Sequence, residues 1–158
     1  MMKNARGRVP QRLKMLPSWL INQAALPVNR LITEGLASAG ARRHHYALLT
    51  TLDEVGEGSQ TALSDWSAVD RGDLVLTIDE LVEHGLVERR PDATDRRRNV
   101  VIITPAGRRR LRKLDRLVAR VQNQWLAALS VDEREQLVRL LTRVVDHHAK
   151  ERSRTTAG

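Results

Sequence analysis

Residues 85–108 have the sequence GLVERRPDATDRRRNVVIITPAGR, and this stretch decides the fold. Two strand-like segments rich in β-branched or apolar residues, 86–90 and 99–103, flank a polar segment, 91–98, that contains three consecutive arginines. This pattern predicts a β-hairpin whose long loop carries arginines at its tip. Thr104 and Pro105 then predict the start of a helix, because threonine caps helices and proline suits the first helical position.

Helical periodicity lies on both sides of this hairpin. Apolar residues recur at steps of three and four over 17–40, 41–55, 105–125 and 130–150, which predicts four helices with one apolar face each. Pro27 is expected to kink or break the first of them. The inward faces of the first and last helices are expected to comprise Leu20, Ala24, Val28, Leu31 and Gly35, and Leu137, Leu140, Leu141, Val144 and Val145.

Two shorter helices precede the hairpin. Ser59 is a candidate N-cap for a helix that reaches about Trp66, and Asp70 is a candidate N-cap for a longer helix over 70–84. A short helix, a three-residue turn and a longer helix are typical of a helix-turn-helix. The fold class expected is therefore mainly α with a small β-hairpin wing.

The charge of the chain is unevenly distributed along it. The net charge is +8 overall, +5 over residues 1–14, −6 over 15–86 and +6 over 87–112. Solubility alone would not require such clustering. A concentrated arginine patch favours a polyanionic partner, and nucleic acid is the leading candidate.

The residues around the hairpin resemble those of one known family. Gly85 to Asp92, then Asp95-Arg96-Arg97, then Thr104-Pro105-Ala106-Gly107-Arg108 resemble the wing segment of MarR-family transcriptional regulators. The resemblance implies a winged helix-turn-helix with a helical dimerisation domain, and a homodimer whose two lobes bind neighbouring half-sites on duplex DNA. It implies a helical dimerisation region (17–40 and 105–150) and a winged helix-turn-helix DNA-binding lobe (41–104). The composition of the ends predicts a basic N-terminal arm (1–16) and a polar tail (151–158).

The resemblance also assigns candidate DNA-binding residues. The wing loop is expected to enter the minor groove, where the narrow groove's negative potential attracts guanidinium groups. In the family the Asp of this motif holds the second Arg, and these parts fall on Asp95 and Arg97. The full candidate set is Ser59, Gln60, Arg71, Gly72, Asp73, Val75, Leu76, Arg89, Asp95, Arg96, Arg97 and Arg98.

The helix expected in the major groove, 70–84, departs from the family pattern. It has one arginine against five carboxylates, and the polar groove-facing residues usual in the family are replaced by Gly72, Asp73, Val75 and Leu76. Asp73 can accept a hydrogen bond from cytosine N4, and the two apolar side chains can pack on a thymine methyl. Because an acidic helix is repelled by a duplex, we expect modest sequence discrimination, with the wings supplying most of the affinity.

Other chemistries have little support in this sequence. Cysteine is absent, which excludes disulfides, thiolate metal sites and thiol redox sensing. Neither histidine pair, 44–45 or 147–148, can chelate as a unit on a helix, and there is no phosphate loop or nucleophile elbow. We expect no metal site, cofactor, catalytic residue or membrane span. We expect the protein to be located in the cytoplasm.

Family resemblance further suggests a small anionic aromatic effector. The residues expected to line its pocket are Trp19, Arg30, Arg42, Arg43, His44 and Tyr46. The function expected is a homodimeric, ligand-responsive repressor that binds a pseudo-palindromic duplex site. Two alternatives stay open: a dimeric winged-helix interaction protein that has lost specific DNA binding, and a small-molecule-binding protein or enzyme that uses the cleft between the helices.

Overall fold

The computed structural model describes residues 9–156, with side chains described as far as Lys150. Over these residues the chain forms seven helices and three strands. In chain order they are α1 (Gln11–Lys14), α2 (Pro17–Ser38), α3 (Arg43–Val55), β1 (Glu57–Gly58), α4 (Gln60–Ser67), α5 (Arg71–Glu83), β2 (Val87–Pro91), β3 (Asn99–Ile103), α6 (Pro105–Trp125) and α7 (Val131–Thr156). The fold is mainly helical with a small antiparallel sheet, which confirms the expected fold class.

The chain divides into two compact units, one ending at Val121 and the other beginning at Gln122. The core of the first unit consists of leucine, isoleucine and valine side chains, among which Leu48, Leu49, Leu52, Leu63 and Ile78 are fully buried. These side chains come from α3, α4 and α5, and they pack together with buried residues of β2, β3 and α6. Burial of this apolar surface is the main stabilising contribution that fixes the three helices against the sheet.

The helix-turn-helix is set by local capping. Ser59 Oγ accepts a hydrogen bond from the backbone N–H of Ala62, and Asp70 Oδ1 accepts one from the N–H of Gly72. Both predicted N-caps are therefore confirmed. Ala68, between the two helices, has a φ of 53°, the left-handed conformation that ends α4 and redirects the chain.

The sheet has three strands in the order β1-β3-β2, all antiparallel. The hairpin of β2 and β3 is confirmed, with Val87 opposite Ile103 and Pro91 opposite Asn99. The sequence did not predict β1, whose two residues pair with Val101 and Ile102. Gly56 precedes β1 with a φ of 90°, a value that glycine adopts readily, and this turn brings the chain from α3 to the sheet.

The junction between β3 and α6 is closely packed. Thr104 Oγ1 donates to the Gly85 carbonyl at 2.7 Å and accepts from the Gly107 N–H at 3.0 Å. A Cβ atom on Gly107 would overlap the Leu86 carbonyl oxygen and would lie 2.7 Å from Cγ1 of Ile103. Glycine is therefore required here, because α6 approaches the backbone of residue 86 too closely for any side chain.

The structure adds detail to the terminal segments and to the segment around Pro27. The segment 1–16 contains helix α1, and its first eight residues lie outside the described part of the chain. Pro27 does not break α2, which continues from Pro17 to Ser38, since a proline costs one backbone bond that a long helix can lose. Helix α7 continues to Thr156, past the expected start of a polar tail at residue 151.

The second unit consists of the end of α6 and helix α7. Ser130 and Glu133, a serine followed three residues later by a glutamate, form a capping box at the start of α7, since Ser130 Oγ accepts from the Glu133 N–H and a Glu133 carboxylate oxygen accepts from the Ser130 N–H. Arg134 donates to the carbonyls of Leu126 and Leu129 and closes the turn before α7.

The apolar faces expected to be buried are only partly so. On α7, Leu140, Val144 and Val145 are 49–62% exposed. On α2, Val28 is buried, whereas Leu20 is 48% exposed and Ala24 is also exposed. The described helices include none that is long and apolar enough to cross a membrane.

Candidate nucleic-acid interface

The wing, defined here as β2, the loop 92–98 and β3, has a loop ordered by Asp92. Its Oδ1 accepts hydrogen bonds from the Thr94 N–H at 2.7 Å and the Thr94 hydroxyl at 2.8 Å. These two bonds are the main cause that lowers the pKa of the Asp92 carboxyl, because they stabilise its charged form. The Asp92 N–H also donates to the Arg98 carbonyl at 2.8 Å, which closes the loop at its base.

The expected side-chain bond between Asp95 and Arg97 is wrong. Asp95 Oδ1 accepts from the backbone N–H of Arg97 at 3.1 Å, and Asp95 Oδ2 lies 3.6 Å from Nε of Arg98. A carboxylate two residues before an N–H forms this bond readily as a local turn, so the backbone competes successfully with the guanidinium. Within the described part of the chain, the exposed guanidiniums of Arg96 and Arg97 have no hydrogen-bond or ion-pair partner.

The other basic residues of the wing have partners within the protein. Arg89 pairs with Asp79 of α5, and Arg90 pairs with Glu88 of its own strand. All of these side chains are partly exposed, so the pairs can exchange with solvent or with another anion. The wing therefore presents two unpaired cations at its tip and several paired ones along its sides.

A groove connects the wing to the start of α4. It has a volume of about 730 Å³ and is lined by Ser59, Gln60 and Thr61 on one side and by Arg89 and Arg98 on the other. The first N–H groups of a helix have no partner in the helix, and they favour anions. The structure therefore brings together the residues predicted at the α4 N-terminus and two of the arginines predicted on the wing.

Helix α5, called the recognition helix below, presents the predicted groove-facing residues to solvent. Arg71, Gly72 and Asp73 are exposed in its first turn, and Val75 and Leu76 are 42% and 60% exposed. The opposite face is anchored by buried side chains, namely Leu74, Thr77, Ile78 and Leu81. The Thr77 hydroxyl is satisfied by donating to the Asp73 carbonyl at 2.6 Å.

Several carboxylates of the recognition helix are engaged within the protein. Asp70 caps the helix, Asp79 pairs with Arg89, and Glu80 accepts from both Arg42 and His45 of the α3 region. The hydrogen bond to His45 Nε2, at 2.7 Å, is the first cause that lowers the pKa of Glu80, followed by the bond from Arg42. Two of the five carboxylates, Asp79 and Glu80, are thus offset by cations on neighbouring elements, whereas Asp73 and Glu83 form no ion pair among the described residues.

The residues predicted to line an effector pocket are only partly brought together. Arg42, Arg43 and His44 line a cavity of about 340 Å³ that Asp73 of the recognition helix also borders. The Arg43 guanidinium is used within the fold, since it donates to the carbonyl and side-chain oxygens of Asn29.

The other effector candidates lie elsewhere in the first unit. Arg30 pairs with Glu34 on α2, Trp19 is half-buried near the start of α2, and neither lines that cavity. Tyr46 donates to Asp115 at 3.0 Å; burial, followed by this bond, raises the pKa of its hydroxyl. Among the described residues, no group of three or more His, Asp or Glu side chains is arranged to hold a metal ion.

Sequence reasoning missed two residues that shape the interface. Asp92 orders the wing loop, and Asp79 binds Arg89 across to the recognition helix. The first had a local signal, because an aspartate followed two residues later by threonine forms a turn through its own carboxylate. The second had none, since its partner lies on another element.

These features define the chain as a winged helix-turn-helix protein, and comparison with known proteins gives its family. The model of the MarR family matches residues 43–98. A protein of Thauera aromatica named for transcriptional regulation of the hcr operon is 35% identical over 99 residues, which span 63% of this chain and 60% of that protein.

Solved structures agree with this match. A protein of Pseudomonas aeruginosa described as a probable transcriptional regulator has 31% identity and a TM-score of 0.72, over 84% of this chain and 99% of that one. A mutant of Escherichia coli MarR in complex with operator DNA has 25% identity and a TM-score of 0.70, over 86% and 99% of the two chains. The chain belongs to the MarR family of transcriptional regulators.

Proposed function

We propose that this protein binds duplex DNA as a homodimer and represses transcription in the cytoplasm until a small ligand releases it. The observation that carries the proposal is the pair of exposed guanidiniums, Arg96 and Arg97, which have no partner in the described part of the chain and lie at the tip of a wing whose loop is ordered by Asp92. An ordered loop places these cations without a large entropic cost on binding, and a narrow minor groove offers them a strong negative potential.

The remaining contacts follow from the neighbouring elements. The N-terminus of α4, with Ser59 and Gln60, faces the same groove as Arg89 and Arg98, and it can bind a backbone phosphate through its N–H groups. The recognition helix presents Arg71, together with the exposed patch of Gly72, Asp73, Val75 and Leu76, to the major groove. Phosphate contacts fix the position of the protein on the duplex, and the recognition helix supplies the contacts to base edges.

Exposed apolar side chains support the homodimer. Helix α2 exposes Leu20, Ile21 and Leu26, and helix α7 exposes Val138 and Val144, each at 45–65%. Faces of this kind are costly in water and are typical of an interface between subunits. A twofold dimer would place two wings on one side, with half-sites about 34 Å apart on B-DNA. Sedimentation equilibrium should therefore give twice the mass of one chain.

A ligand response is proposed on the cavity bordered by Arg42, Arg43, His44 and Asp73. Its basic and imidazole side chains suit an anionic aromatic molecule, and Asp73 connects it to the first turn of the recognition helix. A panel of aromatic carboxylates should include at least one that weakens duplex binding and raises the melting temperature. If none of them does either, the ligand-responsive part of the proposal fails while the DNA-binding part stands.

The central test is Arg97→Ala, measured by fluorescence anisotropy on duplex DNA from upstream of the protein's own gene. Loss of a minor-groove guanidinium should weaken binding by about 10-fold to 100-fold. Arg139→Ala removes one exposed arginine from α7 and is the matched control, with an expected change of less than about threefold. Equal affinities for wild type and Arg97→Ala would overturn the proposal.

Asp73→Ala tests how much the recognition helix contributes to sequence-specific binding. Because its first turn offers a carboxylate and two apolar side chains, we expect modest discrimination and only a small change in specific binding. Specific and random duplexes are compared at fixed salt. A specific affinity that falls by more than about 100-fold, with random-duplex binding unchanged, would instead make Asp73 a base reader.

A further inference from the structure

Helix α6 has a cationic stripe, which we define as Arg109, Arg112, Lys113, Arg116 and Arg120. These five residues recur at steps of three and four, so they share one face of the helix over about 16 Å. All five are exposed. The opposite face is buried in the core through Gly107, Leu111, Leu114 and Leu117, which fixes the direction of the stripe toward solvent.

The stripe differs from several other basic groups of this unit, which pair with carboxylates. Arg30, Arg42, Arg89, Arg90 and Arg108 each pair with a carboxylate. Among the described residues, none of the five stripe residues has an ion-pair partner. The single acidic residue of α6, Asp115, lies off the stripe and accepts its hydrogen bond from Tyr46.

Like charges at these spacings repel one another and lower helix stability by a few tenths of a kilocalorie per mole per pair. A chain that only needed solubility could mix acidic residues into this face, as most surfaces do. The acidic residues of the recognition helix, Asp73, Asp79, Glu80 and Glu83, share one side of it, but Asp79 and Glu80 are already paired within the protein, so a second copy of this chain offers only a partial complement. A polyanion from outside the protein is the better complement.

We propose that the cationic stripe is a second DNA-binding surface, which binds backbone phosphates without regard to sequence. Duplex DNA carries one charge per about 1.7 Å of its axis with both strands counted, so about 16 Å of duplex offers more phosphates than the five cations of the stripe can bind. The stripe lies on α6 and the wing tip precedes β3, so the two are separate surfaces, and we assign the stripe to flanking or second-duplex DNA rather than to the half-site under the wing. The inference thus goes beyond the proposed function.

The test uses a random-sequence 30-base-pair duplex and the full chain. The triple substitution Arg112→Gln, Arg116→Gln and Arg120→Gln should reduce affinity, and it should make the logarithmic salt slope shallower by about 2 to 3, because each neutralised phosphate contributes about 0.9. The triple substitution Arg30→Gln, Arg139→Gln and Arg143→Gln removes the same charge from other elements and should change the slope by less than about 1.

The wing is neutralised in a second arm, with Arg96→Ala, Arg97→Ala and Arg98→Ala together. Residual binding to the random duplex at low salt should persist in this background and should be lost when the stripe is also substituted. Replacement of the same three stripe arginines by lysine should keep binding, which shows that the fold is intact and that charge is what matters.

Three outcomes would overturn the proposal. The first is a salt slope that the stripe substitutions leave unchanged, and the second is no residual binding once the wing is neutralised. The third is a stripe variant that loses binding to vesicles containing phosphatidylserine while keeping its binding to DNA. The single substitution Arg97→Ala, measured on the protein's own upstream duplex, tests the wing separately from these outcomes.

Discussion

The wing and the recognition helix face the same proposed ligand with opposite charge arrangements. The wing tip holds two guanidiniums without a partner among the described residues, whereas Asp79 and Glu80 of the recognition helix are paired with Arg89, Arg42 and His45. The difference teaches that net charge along the sequence is a poor measure of what a surface offers. A carboxylate paired within the protein repels a phosphate much less than a free one, because its field is offset at short range.

The wing and the recognition helix are also stabilised by different interactions. The wing loop is ordered by local hydrogen bonds to Asp92, within a few residues of one another. The recognition helix is ordered by burial of four side chains on its inner face and by bonds to distant residues. Both regions adjoin the packed junction between residue 86 and the start of α6, which is called the platform below. A change to the platform should therefore lower the free energy of unfolding more than a change to the Asp92 loop or to one bond of the recognition helix.

The largest effect is expected from Gly107→Ala, which disturbs that platform. The new Cβ would overlap the Leu86 carbonyl oxygen, so either the start of α6 or the residue before β2 must move. We expect the free energy of unfolding to fall by about 3 kcal/mol or more, measured by urea denaturation.

Gly72→Ala is the matched control for this substitution. A Cβ there would lie 3.6 Å from Asp70 Oδ1, which is an ordinary contact, and alanine favours a helix more than glycine does. Stability should stay the same or rise by up to about 1 kcal/mol. Equal stability of Gly107→Ala and wild type would contradict the close approach described here.

A smaller effect is expected from Asp79→Asn, which breaks the link between the two regions. Without its carboxylate partner, the Arg89 guanidinium is released toward the groove beside α4, and one negative charge leaves the recognition helix. Random-duplex binding should strengthen by about threefold, with a salt slope steeper by about 1. The stability should change by less than about 1 kcal/mol, since the pair is partly exposed.

Arg89→Ala is the complementary change and should weaken random-duplex binding. The measurement is the same anisotropy titration at several salt concentrations. If Asp79→Asn weakens binding instead, the Asp79 carboxylate itself contacts a base. The recognition helix then makes more base contacts than the Asp79–Arg89 ion pair suggests.

The fold could be predicted where its determinants are local. The caps at Ser59, Asp70 and Ser130 are recognisable because each bond joins residues two or three positions apart. Strand β1 was missed because two residues carry no periodicity, and its conformation depends on pairing with β3. The continuous path of α2 through Pro27 likewise depends on the length of the helix on both sides.

The candidate site follows the same rule. Arginines at a loop tip were found from the sequence, since the hairpin pattern places them there. Their partners were not, because Arg89 and Asp79 are ten residues apart and Arg42 and Glu80 are 38 apart. Pairing between elements is a property of the packed structure, so the apparent acidity of the recognition helix was overestimated.

The smallest effect is the pH dependence of the link from Glu80 to α3. Bonds from His45 and Arg42 lower the pKa of this carboxyl from its ordinary value of 4.5. A carboxyl whose pKa is lower in the folded state stabilises the fold fully at pH values above its pKa in the unfolded chain. This contribution is lost as the pH falls through its pKa in the folded state.

The urea midpoint of wild type should therefore exceed that of Glu80→Gln at pH 7, and the difference should shrink as the pH falls below about 4.5. Glu83→Gln, at an exposed position of the same helix, should give a smaller difference from wild type than Glu80→Gln at pH 7. A difference for Glu80→Gln that stays constant from pH 7 to pH 3 would show that the carboxylate is not what secures the recognition helix to α3.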